Sequence, residues 1–216
     1  MFTGLLGGSF NPAHGGHRRI SLFAREALGL DEVWWLVSPG NVLKPAAGMA
    51  PLPARFASAR AAARGAPIRV TAIEAELGTR YTIDSLRLLK RRYPKRQFVW
   101  LMGTDNLAQF HRWRGWRGIA REMPIAVIAR PGYDGAAMTS LAMAWLRRWR
   151  RRHSQDFSGA KRSAPALVIL HFDPDARSAT ALRAADPDWY RRIPFVHQRD
   201  MLTHRPIVTA ARARVR

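Results

Sequence analysis

Two histidines three residues apart, His14 and His17, follow a glycine-rich turn in the stretch GLLGGSFNPAHGGH, residues 4–17. Glycines there let the backbone turn tightly and approach a ligand closely, and a helix starting near Gly15 presents unpaired N–H groups. His14 then stands at the helix start and His17 in its first turn, where an imidazole N–H can donate to a phosphate oxygen. Such a place suits an anion. Two other readings stay open on these residues alone. The pair could begin a metal site, although no neighbouring carboxylate or cysteine completes one, or it could be an uninvolved surface pair.

The elements that must position this motif are legible as short apolar runs: FTGLL (2–6), EVWWLV (32–37), IRVTAI (68–73), QFVWLM (97–102), PIAVIA (124–129) and ALVILHF (166–172). They are near-continuous rather than alternating, as strands buried on both faces are. Helix-like segments lie between them, among them His17–Leu28, Pro53–Arg64, Thr82–Arg92 and Ala136–Arg152. The alternation predicts an α/β fold, a Rossmann-like doubly wound parallel sheet of about six strands with helices on both faces. In such a sheet ligands bind at the carboxyl ends of the strands, and the histidine motif follows the first strand.

Composition bounds the chemistry. A chain of 216 residues with 47% hydrophobic content buries an ample core, and the absence of cysteine excludes disulfides, thiolate metal sites and cysteine nucleophiles. The start, MFTGLLGGSF, lacks the basic and apolar regions of a signal peptide, and no run approaches the roughly 18 apolar residues of a membrane span, so a cytoplasmic location is expected. The net charge of +21 would attract phosphate backbones without regard to sequence. That charge is spread evenly, however: residues 1–129 carry 19 Lys+Arg against 8 Asp+Glu, and residues 130–216 carry 17 against 7. Compositional bias toward arginine, 32 of the 36 basic residues, accounts for it without any selection for binding and is the preferred reading. One domain is expected over 1–204, with 132–165 a basic insertion within it and 205–216 a frayed basic tail. The insertion holds RRWRRRH (147–153), where arginines interleave with an aromatic; it reads either as a solvated surface or as a nucleic-acid patch.

GGSFNPAHGGH resembles the G-x-F-x-P-x-H-x-G-H signature of the nucleotidyltransferase superfamily. Further stretches agree in order: SPGNVLKP (38–45), RYTIDSL (80–86), FVWLMGTDNLAQFHRW (98–113), IARPG (128–132) and RSATALR (177–183). Together they resemble the bacterial nicotinate-nucleotide adenylyltransferase family, which joins nicotinate mononucleotide to AMP from ATP. The combination of YTIDSL, GTDNL and the tryptophans Trp113 and Trp116 separates that family from phosphopantetheine adenylyltransferases and cytidylyltransferases. The rival expectations are a related adenylyltransferase acting on nicotinamide mononucleotide or phosphopantetheine, and an RNA-binding protein that kept the fold.

The resemblance implies a site residue by residue. Gly7, Gly8, Ser9, Phe10, His14 and His17 would cradle ATP, with Gly103 and Asp105 at its ribose and Ser178, Thr180 and Arg183 at its β- and γ-phosphates. His14, His17, Lys44 and Arg183 would stabilise the transition state, and Mg²⁺ would accompany ATP. Lys44, Tyr81, Thr82 and Trp113 would hold the mononucleotide, the tryptophan by stacking on the pyridine ring and Thr82 by donating to its carboxylate. Local alternatives remain: Asp105 as a helix N-cap, and Ser178 and Thr180 as an ordinary cap before an alanine-rich turn. The chain departs from the usual family pattern at Ser9, Asn11 and Ala179, and in the C-terminal IPFVHQRDMLTH.

Overall fold

The run Glu32–Val37 sends Trp34 into one layer of the protein and Trp35 into the opposite one, and both indoles are buried. A strand that is apolar on both sides is stable only inside a sheet covered on both faces. The computed structural model describes residues 1–40, 48–129, 134–151, 163–172, 179–193 and 198–208. Their elements are β1 (Phe2–Gly8), α1 (Gly15–Leu28), β2 (Glu32–Val37), α2 (Leu52–Ala63), β3 (Ile68–Thr71), α3 (Ile73–Glu76), α4 (Thr82–Arg92) and β4 (Gln97–Gly103). There follow α5 (Thr104–Gln109), α6 (Trp116–Glu122), β5 (Ile125–Ala129), α7 (Asp134–Met138), α8 (Leu141–Leu146), β6 (Leu167–His171) and α9 (Ala179–Ala185).

The six strands are all parallel in the order β3-β2-β1-β4-β5-β6, as the apolar runs predict. Leu5 is in register with Trp34 on one side and Trp100 on the other. One core lies under α1 and α2 and includes Leu6, Ile20, Trp35 and Phe56; the other lies under α4, α6 and α8 and includes Leu5, Trp34, Leu86, Trp100 and Met143. The chain winds outward from β1 to β3 and then returns to place β4 beside β1. That reversal opens a crevice beyond the carboxyl ends of β1 and β4, where Gly7, Gly8 and Gly103 stand.

The helix expected over 136–152 is broken. Ser140 has extended φ/ψ and its hydroxyl accepts from the Met143 N–H at 3.1 Å, so it ends α7 and caps α8 instead of continuing one helix. Ala137, Ala142, Met143 and Leu146, all within the segment read as an insertion, are core residues. Of RRWRRRH, residues 147–149 form a 3₁₀ turn and residue 152 onward lies outside the described residues. Trp145 stacks edgewise between Trp116 and Trp149, with the guanidiniums of Arg117, Arg121 and Arg148 at 5.7–5.9 Å from its ring. The first residues of the expected tail are paired: Asp200 N–H donates to the Arg205 carbonyl and Ile207 N–H to that of Gln198. Buried Asp200 ties this hairpin to the end of β3, accepting from Thr71 Oγ1 at 2.9 Å and the Ala72 N–H at 2.7 Å.

Candidate active site

The histidines cap α1 reciprocally. His14 is the N-cap, with extended φ/ψ, and its Nδ1 accepts from the Gly16 N–H at 3.1 Å. The His14 N–H donates in turn to Nδ1 of His17 at 3.3 Å, so two imidazoles do the work of a Ser/Glu capping box. A neutral ring that accepts at Nδ1 carries its hydrogen on Nε2. The rings lie 4.0 Å apart between centroids, beside a helix start that favours negative charge.

Phe10 connects the glycines to these histidines in a left-handed conformation, φ 47°, which costs a non-glycine residue about 1–3 kcal/mol. Its surroundings impose that conformation. The buried ring stacks on Trp35 at 5.0 Å and 20°, leans on His17 at 5.0 Å, and closes under Gly8, where a Cβ would lie 3.3 Å from Phe10 Cε2. Beneath the loop, Trp35 Nε1 donates to Ser21 Oγ, whose hydroxyl donates to the His17 carbonyl, both at 2.8 Å. The sheet thereby fixes the depth of the histidine turn.

Arg183 arrives from the far end of the sequence. Its Nη1 donates to the Asn11 carbonyl at 2.6 Å and its Nη2 reaches Thr180 Oγ1 at 3.3 Å, which joins α9 to the first motif across 172 positions. Thr180 lies inside α9 rather than before it. Lys44 and Ser178 lie outside the described residues. Asp105 is exposed in the first turn of α5, and the N-cap is Gly103, so the alternative reading of Asp105 as a cap is not what the helix uses.

The second half of the site is assembled by packing. Gly115, φ 62°, lets α6 start against Ile83 of α4, with a Cβ position 3.4 Å from Ile83 Cγ2. That contact sets α6 against α4, and the guanidinium of Arg114, the residue after Trp113, stacks 4.5 Å from the ring of Tyr81 at the start of α4. Thr82 is the first helical residue, and Tyr81 at the N-cap makes no side-chain capping hydrogen bond. A hydroxyl pair pins the approach to it: Ser85 Oγ lies 2.8 Å from Thr79 Oγ1 and donates to Glu74 Oε1 at 2.8 Å. Burial pushes the Glu74 carboxyl up, against the lowering effect of the Ser85 bond. Trp100 bridges the halves. Its ring fills the space under Gly7 and meets Trp113 edge-on at 6.3 Å, and the Nε1 atoms of Trp100 and Trp113 are buried without a hydrogen-bond partner among the described residues.

Reading the sequence missed Arg55, which is 1% exposed and donates to the carbonyls of Ser9, Ser38, Pro39 and Ala50. A signal was present: Arg55 falls on the same helical stripe as Leu52, Phe56, Ala59 and Ala63, where an apolar residue belongs. In sequence Asn11 is only a departure from the family pattern. It ties the loop to the approach of α2, donating through Nδ2 to the Gly48 carbonyl at 2.9 Å and accepting at Oδ1 from the Ala50 N–H at 3.2 Å.

The chain is similar to known proteins over most of its length. The cytidylyltransferase-like family matches residues 5–185. A probable nicotinate-nucleotide adenylyltransferase of Erythrobacter litoralis (strain HTCC2594) is 68% identical over 205 residues, covering 95% of this chain and 94% of that protein. Another, from Bradyrhizobium sp. (strain ORS 278), is 48% identical over 189 residues, covering 88% of this chain and 98% of its own. Among solved structures, Plasmodium falciparum nicotinic acid mononucleotide adenylyltransferase complexed with NaAD superposes with a TM-score of 0.63 at 15% identity, over 85% of this chain and 82% of that one. At that identity the likeness speaks for the fold.

Proposed function

The chain belongs to the cytidylyltransferase-like family and, within it, to the nicotinate-nucleotide adenylyltransferases, and from this premise we propose how its site makes nicotinate adenine dinucleotide. The reaction serves NAD biosynthesis. A phosphate oxygen of nicotinate mononucleotide attacks the α-phosphorus of ATP in line; a new P–O–P bridge forms, the bond to the β-phosphate oxygen breaks, and pyrophosphate leaves. Because no covalent enzyme intermediate is needed, the protein's task is to align two phosphates and compensate charge.

The observation that carries the assignment of roles is the convergence of Arg183 on the loop capped by His14 and His17. Nε2–H groups of both histidines donate to the triphosphate at the start of α1, and Arg183 adds a full positive charge beside them. Lys44, Ser178 and Thr180 join this charge set on the strength of their positions in the sequence pattern. Gly7, Gly8 and Gly103 present backbone to the crevice at the ends of β1 and β4, with Asp105 at the ribose hydroxyls. Trp113 stacks on the pyridine ring while the N–H groups and hydroxyl at Tyr81–Thr82 receive its carboxylate. A site built for a carboxylate leaves those donors poorly paired when an amide takes its place, which favours the acid over nicotinamide mononucleotide. Mg²⁺ would accompany ATP as its counter-ion and would neutralise part of the triphosphate charge, beside the histidines and Arg183.

The test is pyrophosphate release by the purified protein with ATP and Mg²⁺, offered nicotinate mononucleotide, nicotinamide mononucleotide or phosphopantetheine in separate reactions. Release confined to nicotinate mononucleotide, or far faster with it, is the expected result. Faster release with either alternative would overturn the substrate assignment, and release with none would overturn the activity.

A further inference from the structure

Arg55 is a charged side chain in a place where folding alone asks for an apolar one. It lies on the buried stripe of α2, and its guanidinium is shared among four backbone carbonyls: Nε to Ala50 at 2.8 Å, Nη1 to Ser9 at 2.8 Å and Ser38 at 2.7 Å, and Nη2 to Pro39 at 3.2 Å. Among the described residues no carboxylate pairs with it. Burial lowers its pKa to about 10, so it still carries its proton at neutral pH. Packing such a site with hydrocarbon is ordinarily at least as stable as burying an ion in it.

What the guanidinium provides, and a hydrocarbon cannot, is a fixed fork of donors that addresses three separate segments at once. All three lie at the crevice edge of the sheet: Ser9 follows β1, Ser38 and Pro39 follow β2, and Ala50 leads into α2. The Ser9 contact matters most. A planar trans peptide points its C=O and N–H in opposite directions, so a Ser9 carbonyl drawn toward Arg55 turns the Phe10 N–H away from α2. That N–H makes no hydrogen bond to another described residue, although Phe10 is buried and held at positive φ. An unpartnered donor in a loop between two glycines and a histidine-capped helix is an oriented place for a phosphate oxygen.

We propose that Arg55 is a positioning residue for adenylyl transfer, fixing the Ser9–Phe10 peptide so that the Phe10 N–H is aimed at a phosphate of bound ATP. It rests on the reading of the loop as an ATP cradle given above. Arg55 acts through the backbone and touches no substrate. Another tie braces the same loop against the same helix, since Ser58 Oγ accepts from the Ala13 N–H at 2.8 Å; loss of Arg55 therefore frees the Ser9–Phe10 peptide but leaves the loop attached to α2.

The experiment compares the wild type with Arg55→Lys and Arg55→Met. Circular dichroism and melting check the fold, steady-state kinetics vary each substrate against saturation of the other, and calorimetry measures ATP binding without the mononucleotide. Lysine keeps the charge but cannot reproduce the fork. The expected result is a folded Arg55→Lys enzyme whose KM for ATP rises roughly tenfold, with a much smaller change in KM for the mononucleotide, and a larger effect in Arg55→Met. Millimolar guanidinium should restore part of the lost ATP affinity to a folded Arg55→Ala variant, whereas urea should not. Folded Lys and Met variants that bind ATP as the wild type does would overturn the proposal, as would an equal rise in both KM values. If neither variant folds, Arg55 is a structural tie only and the proposal fails. A wild type that binds ATP but releases no pyrophosphate would instead overturn the activity, and ATP calorimetry on the variants would still decide the role of Arg55.

Discussion

Replacing Gly7 with alanine tests the link between the two halves of the site. The new Cβ would stand 2.5 Å from Trp100 Cη2 and 3.1 Å from Cζ2. Ordinary carbon–carbon contact begins near ~3.5 Å, so the indole would have to retreat by about 1 Å. Trp100 is 3% exposed and backed by Trp113, which leaves no empty space to retreat into. Overpacking of this kind costs about 1–3 kcal/mol, and removing a flexible glycine from the unfolded chain returns up to about 1 kcal/mol. The net loss is about 1–2 kcal/mol, which for a chain of this size lowers the melting temperature by roughly 2–8 °C. Because the displaced indole pushes on Trp113, KM for nicotinate mononucleotide should rise more than KM for ATP. Thermal unfolding and steady-state kinetics of Gly7→Ala measure both, and the double variant with Trp100→Phe, which removes the clashing end of the ring, should recover much of the loss. A Gly7→Ala protein with unchanged melting temperature and unchanged KM values would refute the packing argument.

Replacing His17 with alanine should lower kcat by about 10²-fold or more, as removal of an oriented transition-state donor does, with a folded protein by circular dichroism; near-normal turnover would remove the residue from the mechanism. Trp113→Ala should chiefly raise KM for the mononucleotide, and an effect confined to ATP would count against stacking. Glu32, 7% exposed, takes hydrogen bonds from Trp34, Arg69 and Arg96; burial raises its pKa, but these bonds and the two guanidinium charges outweigh burial and hold it below the ordinary 4.5. Its stabilising contribution is therefore full above that value and is lost as pH falls below it and through the lower folded-state value, so Glu32→Gln should cost about 1–3 kcal/mol at pH 7 and progressively less below pH 4.5, measured by urea unfolding across pH. Single-stranded RNA should bind in filter assays at low salt and be released near ~0.2 M, because the Trp145 ring is already ringed by the protein's own arginines; retention at that salt would point to base stacking.

Hydrophobic pattern determined the sheet. Six near-continuous apolar runs can be satisfied only between two layers of helices, and each became a strand within a few residues of its expected limits. Glycine and histidine chemistry likewise marked the loop after β1, since turn residues and helix starts act over a few positions of chain. What acts across the fold was not legible. The union of Arg183 with Asn11 depends on where α9 lands, the closing of Trp100 under Gly7 depends on strand register, and the left-handed Phe10 is imposed by rings from β2 and α1. The clearest case is Arg55. Sequence places an arginine on an apolar stripe and can say only that it does not belong there. Tertiary structure supplies the four carbonyls that hold it, because a buried charge is tolerated only where several distant segments converge to satisfy it.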